Sequence, residues 1–87
     1  MLNLEEILKG NKVNKTKEYK FSEALQELLD KSNIIITSKK TGDSYIVYKL
    51  KEKIKLKFYN SVIGTWQICS FLSPDEILDS WYVTQIG

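Results

Sequence analysis

The sequence predicts an α+β domain, with N-terminal helices packed on one face of a four- to five-stranded antiparallel sheet and a short capped helix before the last strand. Three observations predict it. Ala24, Leu25, Leu28 and Leu29 recur at helical spacing. Four runs rich in β-branched and aromatic residues then follow one another from Asn33 to Phe71, separated by turn residues. Finally, Ser73-Pro74-Asp75-Glu76 opens a short helix just ahead of a last such run, Trp81 to Ile86. Strands in unbroken series, with helices gathered at the ends, argue for an antiparallel meander with one face covered.

Each element has a local cause. Asn3 caps a short helix carrying Leu4, Ile7 and Leu8 on one side, which Gly10 stops. Asn11 to Lys20 holds four Lys and only Val13 and Tyr19 as anchors, and reads either as a solvated linker or as an irregular hairpin. The second helix begins at Ser22, with Glu23 in its first turn, where the helix dipole favours negative charge. Ile34 to Thr37 is a first strand, and Lys40-Thr41-Gly42-Asp43 is a turn. Ser44 to Tyr59 is too long for one strand. A three-residue turn at Lys51-Glu52-Lys53 would pair Leu50 with Ile54, Tyr48 with Leu56 and Ile46 with Phe58 on an inner face. Lys49 would then pair with Lys55 and Val47 with Lys57 on the outer face, joined by Tyr45 and Tyr59. Asn60 to Gly64 turns the chain into a strand from Thr65 to Phe71. The helix opened by Ser73 carries Ile77 and Leu78 inward, and Glu76 closes its capping box.

Length and composition bound the function. Eighty-seven residues make one domain, residues 1–87. It divides into a helix and basic linker over 1–20 and a helix plus sheet over 21–87. All thirteen cationic residues are Lys; there is no Arg, no His and one Cys, Cys69. That composition excludes His-dependent bases, Ser–His–Asp and Cys–His nucleophile systems, and Cys/His zinc sites within one chain. No carboxylate spacing recommends a catalytic pair, so no catalytic residue, metal or cofactor is assigned. The acidic start Met1-Leu2-Asn3-Leu4-Glu5-Glu6 is unlike a secretory signal, no run is long enough to span a membrane, and a lone Cys suits a reducing compartment. The expectation is a cytoplasmic protein. A net charge of +2 disfavours a nucleic-acid partner.

The densest charge feature is the lysine face. Lys49, Lys55 and Lys57, interleaved with Tyr45 and Tyr59, could meet phosphates while the rings stack on a base. A solvated outer face accounts for the same lysines. Trp66 and Trp81 read first as core anchors, with the alternative that one lines a pocket or a subunit interface. Asn60 reads first as a turn former. An apolar component on the second face favours self-association, and pockets of small proteins often form between subunits.

Two segments carry a family resemblance. Phe21-Ser22-Glu23-Ala24-Leu25 with its following leucine pair, and Leu72-Ser73-Pro74-Asp75-Glu76-Ile77-Leu78-Asp79-Ser80-Trp81-Tyr82-Val83, resemble the opening helix and the ending of the phage Thoeris anti-defence proteins of the signal-sequestering type. The resemblance implies a small oligomeric phage protein that holds cyclic ADP-ribose-type immune signals without degrading them. Between these segments, Lys31 to Lys39 lacks the Gly, Arg and Trp usual in the family. The candidate ligand residues therefore rest on residue chemistry: Lys39, Lys49 and Lys57 for phosphate, Tyr45, Tyr59 or Trp66 for stacking, and Asn60 for polar contacts. The resulting expectation is a non-enzymatic homo-oligomer in the host cytosol that sequesters a nucleotide-derived signal. The alternative is an inhibitor that docks directly on a host defence enzyme.

Overall fold

The computed structural model describes residues 12–60 and 62–86. The elements are α1 (Phe21–Asp30), β1 (Ile34–Ser38), β2 (Ser44–Leu50), β3 (Lys53–Asn60), β4 (Thr65–Ile68), α2 (Pro74–Leu78) and β5 (Trp81–Gln85). The helix expected from Asn3 to Gly10 lies outside the described residues. The strands form one antiparallel sheet in the order β4-β3-β2-β1-β5. Four strands meander and the fifth returns beside the first, so the α+β reading holds. Among the described residues, no helix is long and apolar enough to cross a membrane.

α1 starts one residue before the expected Ser22. Its first turn is closed by Glu23, whose carboxylate accepts from the Lys20 N–H at 2.9 Å. Ala24 and Leu28 are buried against the sheet, while Gln26–Asp30 and Lys31–Glu27 pairs decorate the outer side. The chain then reverses through Asn33 at φ 60°, a left-handed conformation that Asn tolerates better than most residues.

The core under α1 joins Ala24 and Leu28 to Ile34, Ile36, Tyr45 and Trp81. Trp81 is fully buried, its ring centroid 4.9 Å from that of Phe21 and 5.4 Å from that of Tyr45. Its indole N–H donates to the Glu76 carbonyl at 3.0 Å, so the ring is buried without an orphaned donor. Residues 12–20, read as a linker or an irregular hairpin, lie irregularly beside β5, with a bend at Thr16 and Lys17 and one isolated bridge at Tyr19. Tyr19 and Trp81 exchange two backbone hydrogen bonds of 2.8 Å, and the Asn14 N–H donates to Thr84 Oγ1.

The β2–β3 register differs from expectation by one residue. Tyr45 pairs with Phe58, Val47 with Leu56 and Lys49 with Ile54, leaving a two-residue turn at Lys51-Glu52 with Lys51 at φ 54°. β3 keeps its expected inner set, but β2 is turned over. Tyr45 and Val47 face α1, and Ile46 and Tyr48 face away. Both faces of β2 are apolar enough to go inside, so alternation alone does not choose between them. Tertiary contacts choose: inward-facing Tyr45 places its ring beside Trp81 and its hydroxyl on a buried Glu76 carboxylate.

The last helix is also partly revised. Ser73 caps it, its Oγ accepting from the Glu76 N–H at 3.3 Å, with Pro74 at the first position. The Glu76 carboxylate does not close a capping box. It turns into the core, where Tyr45 and Thr41 donate to it. Leu78, expected inside, is 84% exposed in this five-residue helix, and Ile77 is half-buried. β4 ends at Ile68 rather than Phe71.

Candidate functional site: a split in the sheet

The ladders differ greatly in length. β2 and β3 share six residue pairs and β1 and β5 share five, but β1 and β2 share only Ile36–Tyr45 and Thr37–Ser44. The Ser38 N–H donates to the Asp43 carbonyl at 2.9 Å, closing the turn end of this short ladder. Bonded pairs alternate along an antiparallel ladder, so Ile34 and Val47 would be the next bonded pair. The strands part before reaching it, and the backbone edges of Ile34 and Val47 face each other across a gap.

That gap is the floor of a cleft of about 710 Å³ beside the C-terminal end of α1. A volume of this order suits a small molecule. Leu28, Leu29, Ile34 and Val47 form its wall under the helix. Because the sheet is split, the cleft also reaches the other face, where Ile46 and Trp66 line it. Lys31, Asn33 and Lys49 supply polar groups at its rim. An apolar slot with an aromatic ring, amines and unpaired backbone edges can hold a flat ring and an anionic group together.

Trp66 continues the cleft onto the sheet face opposite α1, where Ile35 and Thr84 are fully buried but Tyr48 is exposed. The Trp66 ring meets that of Tyr59 edge-on at 5.4 Å. On the same face, the Lys57 ammonium lies 4.2 Å from the centre of the Tyr48 ring, and Lys55 pairs directly opposite Tyr48. Alternation adds Lys53 to Lys55 and Lys57 in one row.

The structure therefore gathers some of the predicted residues and disperses others. Lys49 and Trp66 line the cleft; Lys57 and Tyr59 lie half-buried on the adjoining face opposite α1. Tyr45, placed on the outer face by the expected register, is buried in the core. Lys39 sits at the opposite end of β1, about five residues or roughly 16 Å from Ile34 at the rise of a strand. There it pairs with Glu18 at 3.1 Å. Hydrogen bonding to Ser80, with the Lys39 ammonium, holds Glu18 below the usual carboxylate range, and Glu18 in turn raises Lys39. Asn60 is a turn former: its Oδ1 accepts from the Val62 and Ile63 N–H groups and its Nδ2 donates to Gln67. Tyr48, Ile46 and Lys31 were not singled out as site residues. For the first two the missing information is the parity of β2; for Lys31 it is the parting of two strands, which has no sequence signature.

A second polar cluster lies at the other end of the sheet. Glu76 Oε2 accepts from Tyr45 at 2.8 Å and from Thr41 at 2.9 Å, and Asp43 lies nearby. Burial, with the hydrogen bond to Glu76 second, pushes the Tyr45 phenol far above its ordinary value. Burial and the Glu76 charge push Asp43 up. Because each buried polar group has a partner, this cluster braces α2 against β2. Among the described residues, no three His, Cys, Asp or Glu side chains converge as a metal site. The chain matches no protein-family model, no curated protein and no solved structure.

Proposed function

We propose that this chain is a non-enzymatic binding protein acting in the host cytosol, and that it sequesters a nucleotide-derived immune signal of the cyclic ADP-ribose class. The observation that carries the reading is the split between β1 and β2. It joins an apolar slot, the Trp66 ring and the Lys49 amine in one cleft of about 710 Å³. Trp66 provides a stacking surface, Lys49 provides charge for phosphate, and the backbone edges of Ile34 and Val47 provide donors and acceptors for a base edge. With no Arg in the chain, an anionic group would be met by Lys, hydroxyl or backbone N–H groups rather than by bidentate forks. The likeness of Phe21 to Leu25 and of Leu72 to Val83 to the signal-sequestering anti-defence proteins supplies the ligand class.

Tryptophan fluorescence and calorimetry test this reading with cyclic ADP-ribose isomers, cyclic dinucleotides and ADP-ribose. Trp81 is fully buried, so quenching on titration reports on Trp66. Binding tighter than about 10 µM, a free energy near −7 kcal/mol, by any of them supports the reading. Silence across the panel, with a host protein co-purifying in fixed stoichiometry, would replace it by direct inhibition of a defence enzyme.

A further inference from the structure

The two edges of the sheet are treated differently. Tyr19 covers the edge of β5 with two backbone hydrogen bonds, whereas among the described residues nothing pairs with the outer edge of β4. An open edge is ordinarily guarded by charge. Here residues 58–74, seventeen in succession, carry none. Along the same rim Val62 is 92% exposed, Ile63 58%, Ile68 48% and Phe71 76%.

We propose that the β4 edge pairs with the β4 edge of a second copy of this chain, antiparallel across a two-fold axis, to give a continuous ten-stranded sheet. The hydrogen-bond phase fixes which groups are available. The Cys69 N–H donates to Leu56, and bonded pairs alternate, so Thr65 and Gln67 also point to β3. Trp66 and Ile68 thus direct their backbone N–H and C=O groups outward. With the axis at Gln67, Trp66 of each copy exchanges hydrogen bonds with the partner's Ile68, and the Val62–Ile63 turn lies beside the partner's Phe71. The occupant is argued from self-complementarity and area. An uncharged edge meets no repulsion from its own copy. The four exposed side chains offer on the order of 500 Å² of apolar surface, at the upper range for a patch on a monomer and most of the roughly 800 Å² a stable interface takes from each partner. An axis normal to the sheet would also set the two lysine–aromatic faces on the same side.

The inference does not depend on the ligand reading. Light scattering after size exclusion at about 100 µM tests it, with two variants. The wild-type chain is expected at twice its 10.1 kDa mass, and Ile68→Lys at the single-chain mass with an unchanged far-UV spectrum. In the second variant, Gln67→Cys with Cys69→Ser, the two introduced thiols face each other as a non-bonded pair about 4.5 Å apart at Cα, within reach of a disulfide. Mild oxidation should therefore convert it to a covalent dimer. A wild-type monomer at that concentration overturns the proposal. So does a dimer that survives Ile68→Lys, or one that Gln67→Cys does not cross-link; if Ile68→Lys fails to fold, cross-linking decides alone.

Discussion

The Tyr45 hydroxyl donates to the buried carboxylate of Glu76 at 2.8 Å, joining strand β2 to helix α2 across 31 residues of chain. Thr41 donates to the same oxygen at 2.9 Å, and Ser73 holds the Glu76 N–H at the start of the helix. This one carboxylate therefore ties a turn, a strand and a helix together, and it explains why β2 presents Tyr45 rather than Ile46 to the core.

Tyr45→Phe removes one donor and leaves the ring. The buried Glu76 carboxyl group then keeps a single side-chain partner, Thr41. The variant should unfold with about 1–3 kcal/mol less stability in urea, at an unchanged denaturant slope.

Ser73→Ala removes the cap of α2, and the Glu76 N–H loses its side-chain acceptor. The expected loss is about 1 kcal/mol by the same measurement. Its effect should not simply add to that of Tyr45→Phe, because both variants loosen the same residue.

Asp43 gives a pH signature. Partial desolvation and the Glu76 charge raise the folded pKa of this largely exposed group above the ordinary 3.8, so the folded chain holds this proton more tightly than the unfolded one. The stabilisation is complete below that ordinary value and is lost as pH rises through the raised one. Asp43→Asn is therefore expected to melt higher than wild type at pH 7 and level with it near pH 3. A lower melting point for Asp43→Asn at pH 7 would contradict the assigned sign.

Ligand binding should separate the cleft from the distant lysine. Trp66→Ala should weaken the best-bound nucleotide by at least about fivefold, the lower end of what a stacked base contributes. Lys49→Ala should weaken it more at low salt than at high. Lys39→Ala, at the other end of β1, should leave affinity within about twofold of wild type. Calorimetry at two salt concentrations measures all three.

Much of the fold was legible because its signals are local. The α1 stripe, the turn at Gly42, the inner set of β3 and the Ser73-Pro74 start each depend on residues a few positions apart. The candidate site was less legible. Lys57 and Tyr59 were placed correctly because β3 alternates cleanly between Leu56 or Phe58 and its polar neighbours. Tyr45 and Lys49 were placed on the wrong side because β2 offers Tyr45 and Val47 on one face and Ile46 and Tyr48 on the other. A two-residue turn in place of three then exchanges those faces. Lys39 drew attention as part of a charge run, yet it answers Glu18, a partner 21 residues away that no local pattern announces.

By itself the sequence determined the class of fold, the order of its elements and the kinds of chemistry closed to it, since a chain without His or Arg and with one Cys carries those exclusions wherever it folds. Tertiary structure alone decided which side of β2 is inside and where the sheet splits. Those outcomes are set by contacts between distant segments: a phenol reaching a carboxylate on another element, and two strands that pair for two residues and then part. Periodicity constrains neighbours along the chain, and it carries no information about a balance struck between elements that meet only after folding.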